Sequence, residues 1–317
     1  MIPIEQIRLD HKRIKPFIHD TIVLKSYTLN NLSNASLFFK CENFQKSGSF
    51  KIRGASNTIL QIKKENLKKG VVTASSGNHG AAIASIATKL GLQSTIVMPE
   101  NTSKVKVDNV IRNGGKIIWC SPNQSSRDKV LNDLILKTKK ILIHPYNDGR
   151  VIAGQATVAL EFLETNKDLD ILIAPVSGGG LLSGTISTAK QLNNNIKIYG
   201  AEPLNADDAF RSLISGKIES NIEANTICDG LRAQLGDKTF PIIKKHIESI
   251  IRVKEIDIIE AMKLSWQCLK ILIEPSCAIA LAAVLKNKSI FKNKKVGIII
   301  SGGNVDLDSL PWITNNA

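Results

Sequence analysis

The sequence has few of the residues that mark several common protein classes. Its 317 residues include only five cysteines, which are Cys41, Cys120, Cys228, Cys268 and Cys277. The number is odd and no CxxC spacing occurs, which argues against a disulfide framework and against a zinc site. Aromatic residues make up 5% of the chain, which is few for the stacking surfaces of single-stranded nucleic-acid binders.

Long apolar runs are also missing. No apolar segment of the sequence approaches the roughly 18 residues that a transmembrane helix needs. The first residues, Met1–Glu5, lack the basic segment followed by an apolar one that begins a signal peptide. We therefore expect no membrane partner, and with so few cysteines we expect a cytoplasmic location.

The chain carries a formal net charge of +14. Its lysines are scattered in short groups, such as Lys63-Lys64 and Lys292–Lys295, rather than concentrated on one segment. Nucleic-acid modules usually concentrate their charge, so we expect no nucleic-acid partner. A dispersed positive field does favour the approach of anionic small molecules.

Length and apolar content indicate a large globular protein. The hydrophobic fraction of 43% is sufficient for an extensive core, and the length predicts about two domains. Strand and helix patterns alternate, which predicts an α/β fold. Strands are predicted near 71–73, 95–98, 116–119, 141–143, 171–174, 196–200 and 296–300. Helices are predicted near 81–90, 103–111, from about 125, 155–163, 181–192 and 256–269.

Three loops of small and polar residues follow predicted strands, and a candidate Schiff-base lysine, Lys51, precedes them all. The loops are Ser75–Gly80, Ser177–Leu181 and Ser301–Asn304. In the second loop, glycines before a helix let backbone N–H groups approach an anion such as a phosphate. The first loop suits a ligand carboxylate or a ring hydroxyl. The combination indicates a cofactor enzyme.

A different class of enzyme fits one of these loops. Gly178, Gly180 and Gly184 nearly match the GxGxxG pattern, although the last gap is one residue too long. Glu202 follows the next strand, where an acid could bind a ribose. This alternative, an NAD-dependent oxidoreductase, gives no role to Lys51 or to Ser75–Gly80.

A longer pattern resembles one known family. This sequence resembles the serine/threonine dehydratases and serine racemases, which are fold-type II pyridoxal-phosphate enzymes. The matching segments follow one another along the chain and are Phe39–Ala55, Ser75–Gly80, Val151–Gln155, Ser177–Leu181, Ala201–Pro203, Asn205–Asp208, Leu272–Pro275 and Ser301–Asp306. Each piece alone is weak, whereas the joint pattern is highly specific.

The resemblance implies a two-domain α/β fold like that of the tryptophan synthase β chain, with open, twisted, mostly parallel sheets and flanking helices. A large cofactor-binding domain is expected over 1–69 and 148–317, and a small mobile domain over 70–147. The cofactor is expected in the cleft between them, and the protein is expected to form a homodimer.

The resemblance also implies the residues that bind pyridoxal phosphate. Lys51 would hold the cofactor as a Schiff base and remove the α-proton of the substrate. The other expected contacts are Phe50 against the ring, Asn78 at the ring hydroxyl, the backbone of Gly178, Gly179, Gly180 and Leu181 at the phosphate, and Ser301 at the pyridine nitrogen.

The substrate and a metal ion have implied sites as well. Ser76 would be a second acid/base on the opposite face, and the remaining substrate contacts are expected from Ser75, Ser76, Gly77, His79 and Arg127, with Arg150 as a further candidate for the carboxylate. A divalent cation (Mg²⁺, Ca²⁺ or Mn²⁺) would be bound by Glu202, the carbonyl of Ala206, and Asp208, because such ions prefer oxygen ligands.

The activity that the resemblance favours is dehydration and deamination of a small β-hydroxy amino acid, L-serine or L-threonine, to a 2-oxo acid and ammonia. Racemisation of serine is an alternative. A second alternative is dehydration of 3-hydroxyaspartate, because Arg232-Ala233 stands near the place where racemases have a substrate-binding serine.

Overall fold

The chain folds around two separate β-sheets. The computed structural model describes residues 1–221 and 223–313. The larger sheet has the strand order β1-β2-β10-β7-β8-β9, and the smaller one has the order β5-β4-β3-β6. Every strand pair is parallel except β1 with β2. The strands are β1 Val23–Leu24, β2 Ser36–Cys41, β3 Val71–Ala74, β4 Ser94–Pro99, β5 Lys116–Cys120, β6 Ile141–Leu142, β7 Ile171–Pro175, β8 Lys197–Pro203, β9 Ser249–Val253 and β10 Lys295–Ile300.

Helices flank both sheets, so the predicted α/β fold with mostly parallel sheets is confirmed. The helices are α1 Ile4–Ile14, α2 Tyr27–Ser33, α3 Lys51–Ile59, α4 Lys64–Leu67, α5 Asn78–Lys89, α6 Lys104–Arg112, α7 Gln124–Thr138, α8 Gly149–Thr165, α9 Gly180–Leu192, α10 Asp208–Ser215, α11 Phe240–His246, α12 Glu255–Leu269, α13 Pro275–Lys286 and α14 Lys288–Phe291. Among the residues that the model describes, no helix combines the length and apolar character needed to cross a bilayer.

The larger sheet is buried on both faces. In β7, Ile171 and Ile173 pack into the core that includes α12 and α13. Leu172 and Ala174 point the other way, into the core formed with α8 and α9. Because successive side chains alternate between the faces, a strand covered on both sides needs a continuous apolar run. The strand β10 has the same kind of run over residues 296–300, and all five of these residues are buried.

All four strands of the smaller sheet lie within residues 71–142, and all those of the larger sheet lie outside this range. The helix that begins with Lys51 contacts both groups. Ile52, Ala55 and Ile59 of α3 pack in one core with Val71 and Ile96 of the smaller sheet. On its other side α3 crosses α8, where a Cβ atom added to Gly154 would lie 2.6 Å from the Cα of Gly54. Glycines are therefore required at this crossing.

A buried ion network joins α3 to the strand before it and to α8. Arg53 is fully buried, and its guanidinium donates to both carboxylate oxygens of Glu42 at 2.7 and 2.8 Å. It also donates to both oxygens of Glu161 at 2.7 Å. Lys40 adds a 2.7 Å bond to Glu161. Burial alone would raise the pKa of Glu161, but Arg53 and Lys40 more than offset this and lower it to about 2.

We expect this buried network to contribute more to the free energy of unfolding than the surface ion pairs of the same helix. Glu161→Gln removes one charge and leaves the buried cations without a full partner, which should reduce the free energy of unfolding by about 3–5 kcal/mol. Glu164→Gln is the matched control on the same helix. Glu164 pairs with Arg8 at the surface, so its substitution should cost about 1 kcal/mol or less. Urea unfolding measures both, and equal losses in the two variants would contradict the prediction.

Candidate active site

A cavity of about 750 Å³ lies where strands of both sheets end. The loops after β3, β7 and β10 all reach it, because the carboxyl ends of parallel strands meet at one edge of a sheet. All but one of the residues that the sequence predicts for the cofactor or the substrate line this cavity; the exception is Arg150. Those that line it are Phe50, Lys51, Ser75, Ser76, Gly77, Asn78, His79, Arg127, Gly178, Gly179, Gly180, Leu181 and Ser301.

Lys51, the first residue of α3, projects its amine into the cavity. Its Nζ donates to the carbonyl of Pro145 at 3.0 Å and lies 5.2 Å from the centre of the Phe50 ring. The surrounding protein desolvates the ammonium and lowers the pKa of Lys51 to about 8, although the nearby Glu274 carboxylate acts in the opposite direction. A substantial fraction of this amine is therefore neutral near physiological pH, which a nucleophile or a proton acceptor requires.

The loop between β7 and α9 is built for an anion. Gly179 has φ = +85°, a conformation that favours glycine. A Cβ atom on Gly178 would lie 2.4 Å from the ring of Tyr146. The hydroxyl of Thr239 donates to the Gly178 carbonyl at 2.8 Å and holds the loop in place. The first N–H groups of α9 have no partner within the helix, so they can bind a phosphate.

The loop before α5 contains one engaged serine and one exposed serine. The hydroxyl of Ser75 accepts hydrogen bonds from the N–H groups of Gly77 and Gly80, at 3.2 and 3.0 Å. The bond to Gly80 satisfies one N–H group in the first turn of α5, which begins at Asn78 and not at Ala81, where the sequence pattern places it. Ser76 is exposed to the cavity. Its hydroxyl is therefore in position to meet a ligand.

Asn78 and His79 are held by other parts of the protein. The amide of Asn78 donates to Glu274 at 2.7 Å and accepts from Asn304 at 2.8 Å. The Nε2 atom of His79 is 3.2 Å from the Ile143 carbonyl. Burial, and then the charge of Lys51, lower the pKa of His79 to about 3. A neutral, buried imidazole supports the loop and is a poor base.

The two arginines predicted near the substrate carboxylate differ in position. Arg127 extends from α7 to the wall of the cavity, where it is half-buried and hydrogen-bonded to Gln124. Arg150 instead pairs with Asp148 at 2.6 Å and is absent from the described lining of the cavity. Arg127 is the one that remains a candidate for binding a substrate.

Sequence reasoning missed an ion cluster in the cavity wall. Lys106 of α6 is 6% exposed and pairs with Asp229, and its Nζ lies 3.7 Å from an oxygen of Glu274. Burial raises the pKa of Glu274 above its usual range, and Lys106 opposes this effect. The three residues are more than forty positions apart in the sequence, so no local spacing signals that they meet.

The predicted metal ligands lie outside the cavity. Glu202 at the end of β8 accepts from the N–H groups of Ala209 and Phe210, both at 2.9 Å. Both oxygens of Glu202 are engaged by α10 and the residue does not line the described cavity, so the geometry does not favour the dinucleotide alternative.

Two carboxylates are buried together at this position. Burial, and then the charge of Asp208, raise the pKa of Glu202 to about 9. Burial also raises the pKa of Asp208 to about 6. Within the described residues, Oδ2 of Asp208 is buried without a hydrogen-bond partner. Ala206 is buried next to them. An oxygen-rich site with an unpaired buried carboxylate oxygen fits a divalent cation.

Comparisons with known proteins agree with this geometry. A family model described as pyridoxal-phosphate dependent enzyme matches residues 14–302. A serine racemase of Arabidopsis thaliana is 50% identical over 311 residues, covering 96% of this chain and 93% of the relative. A β-hydroxyaspartate dehydratase of Paracoccus denitrificans is 44% identical, covering 97% and 98%. The structure of maize serine racemase matches with a TM-score of 0.94 at 46% identity, covering 96% of this chain and 94% of that chain.

The lowered pKa of Lys51 predicts how the cofactor-free protein should take up pyridoxal phosphate. Only the neutral amine attacks an aldehyde, so the rate should level off above pH 8 and fall about tenfold for each pH unit below it. An ordinary lysine would level off only above pH 10. Stopped-flow absorbance measures the rate, and Lys51→Ala should bind no cofactor covalently. Covalent uptake by that variant, or a plateau above pH 10, would contradict the assignment.

Proposed function

This chain belongs to the family of pyridoxal-phosphate-dependent enzymes, and we propose that it racemises serine and also eliminates the β-hydroxyl group of small β-hydroxy amino acids. The observation that carries the proposal is the pairing, in one cavity, of the Lys51 amine with the exposed hydroxyl of Ser76. They come from different elements, α3 and the loop before α5. Racemisation needs a proton carrier on each face of the α-carbon, and elimination needs only one.

The order of the two activities differs from that favoured by the sequence. The residue pattern places dehydration of L-serine or L-threonine first and racemisation second. The similarity to serine racemases over almost the whole chain supports racemisation better. We therefore propose racemisation as the main reaction, with loss of water to give a 2-oxo acid and ammonia as a second outcome.

The cavity residues fit pyridoxal phosphate. Lys51 would hold it covalently, the N–H groups of Gly178–Leu181 would bind its phosphate, and Phe50 would pack on its ring. When bound, the cofactor supplies an electron sink for the electron pair left at the α-carbon. Ser301, buried at the end of β10, would offer the ring nitrogen a neutral hydroxyl. Asn78 would offer the ring hydroxyl its second amide N–H, since the first is donated to Glu274.

The chain's own groups divide the remaining tasks. The neutral amine of Lys51 would take the α-proton on one face, and Ser76 would give or take it on the other. The backbone N–H groups of the loop Ser75–Gly80, together with Arg127, would bind the substrate carboxylate and fix its orientation. We also propose that residues 70–147 move as a small domain to exclude water during the reaction. A homodimer and a cytoplasmic location remain predictions.

A second candidate is dehydration of 3-hydroxyaspartate. Arg232, Ala233 and Arg127 all line the cavity, so it offers a second cation for a second substrate carboxylate. The dehydratase relative of Paracoccus denitrificans supports this candidate. A panel of L-serine, L-threonine and 3-hydroxyaspartate, each assayed for 2-oxo acid, ranks the substrates. A preference for 3-hydroxyaspartate that Arg232→Met abolishes would favour this second candidate.

Ser76→Ala should separate the two reactions. Without the hydroxyl, racemisation and activity on D-serine should fall by about 100-fold or more, while 2-oxo acid formation from L-serine should persist because it uses Lys51. Chiral chromatography of the remaining serine, beside a 2-oxo acid assay, measures both.

Ser75→Ala is the matched control for this experiment. Its hydroxyl caps α5, so its loss should weaken both reactions together. Parallel losses in Ser76→Ala would contradict the two-base proposal, and a parent enzyme without racemisation would leave a dehydratase.

We also propose that Glu202, Asp208 and the Ala206 carbonyl bind a divalent cation. Because Glu202 must lose its proton to bind the ion, the affinity should rise with pH, by about tenfold per unit between pH 6 and 9. A saturating ion at a hundredfold its dissociation constant should stabilise the fold by about 2.7 kcal/mol. Thermal unfolding with and without chelator tests this. Unchanged melting temperatures, or an equal response in Glu202→Gln, would contradict the site.

A further inference from the structure

The side chain of Lys106 crosses from one half of the cavity to the other. It belongs to α6, which packs with α5 and the smaller sheet. Both of its carboxylate partners belong to the half built on the larger sheet. Asp229 lies in a short 3-10 helix, and Glu274 is the residue that precedes α13. An ammonium from one half is therefore held by carboxylates from the other.

The stem of Lys106 lies against the loop that carries Ser76. A Cβ atom added to Gly77 would be 2.6 Å from Cδ of Lys106 and 3.4 Å from its Nζ. Gly77 directly follows Ser76. Any side chain at position 77 would therefore displace Lys106. Conversely, a displacement of Lys106 would remove its contact with the loop at Gly77.

A second tie runs from the same carboxylate to the next residue of the loop. One oxygen of Glu274 accepts from Asn78 at 2.7 Å, and the other faces Lys106 at 3.7 Å. Asn304, which follows β10, donates to Asn78 at 2.8 Å. Glu274 therefore holds Asn78 directly, through a hydrogen bond. It supports Gly77 indirectly, through the Lys106 side chain that lies against that residue. Ser76 directly precedes these two residues and is engaged by neither tie.

We propose that Lys106 is a positioning residue, which, held by Asp229 and Glu274, fixes the loop Ser75–Gly80 so that the Ser76 hydroxyl faces the reacting carbon. This inference rests on the proposed role of Ser76 in racemisation. Removing the ammonium leaves the buried carboxylate of Glu274 without its cation, which is costly. The loop would then lose its fixed attachment to the opposite half.

The test compares Lys106→Met, Lys106→Arg and Lys104→Met in the cofactor-loaded enzyme. Methionine keeps an unbranched stem of similar length but has no charge, and arginine restores the charge. Lys104 lies on the same helix, is exposed and pairs only with Asp108 among the described residues. Hydrogen exchange of the peptide that contains residues 75–80 reports on the loop. It should be about tenfold faster in Lys106→Met and unchanged in Lys104→Met.

Activity gives the second readout. Lys106→Met should lose racemisation and D-serine turnover by about tenfold more than it loses 2-oxo acid formation from L-serine, and Lys106→Arg should recover most of the difference. Unchanged exchange in Lys106→Met would overturn the inference, and so would an equal loss of both reactions. If the parent enzyme shows no racemisation but the loop exchanges faster in Lys106→Met, the proposed function fails and the attachment of the loop by Lys106 stands.

Discussion

The buried guanidinium of Arg53 is the contact on which the rest of the site depends. It binds Glu42 next to β2 and Glu161 on α8, and so fixes α3 between the strand before it and the helix that covers the larger sheet. Residues two positions apart lie on different sides of a helix. Arg53 therefore faces the network while Lys51 faces the cavity. The position of the Lys51 amine is therefore set by an ion network whose members do not line the described cavity.

The same helix explains how the two halves meet. Ile52 and Ile59 of α3 share a core with the smaller sheet, whereas Gly54 contacts α8 beneath the larger one. The Arg53 network and the glycine crossing hold α3 to α8, so Lys51 is attached to the larger-sheet half. The loop that contains Ser76 belongs to the smaller-sheet half and reaches the larger one through Lys106 and Asn78.

Local patterns in the sequence predicted much of the site, and the reasons are physical. A loop after a parallel strand must lie at the carboxyl edge of its own sheet, so Ser75–Gly80 and Ser177–Leu181 could each be placed at such an edge. That the two edges share one cavity was implied only by the family resemblance. The strands β3, β4, β7 and β10 were predicted within one or two residues at their ends, because their apolar runs are bounded by turns. The helix α3 was not predicted, since its polar residues Arg53, Ser56, Asn57 and Thr58 are buried as well and mark no exposed face.

Long-range pairs of charges escaped prediction for a related reason. Lys106 and Glu274 meet only because two sheets fold against each other, and a single sequence gives no measure of that distance. Arg150 was a candidate from its type alone, but the neighbouring Asp148 binds it. The residue types that suit a ligand are also those that form internal ion pairs, so only the fold can tell the two uses apart.

The three buried clusters of charge differ in how completely they are balanced. In the cluster around Arg53, the two cations Arg53 and Lys40 pair with the two carboxylates of Glu42 and Glu161, so the charges balance. Around Lys106, one cation faces two carboxylates. At Glu202 and Asp208, two carboxylates lie together and the fold raises the pKa of both. A buried charge without a partner is expensive, so an unbalanced cluster requires an explanation beyond stability. The balanced cluster holds α3 in place, the Lys106 cluster joins the two halves of the cavity, and the carboxylate pair at Glu202 and Asp208 is where we propose a cation.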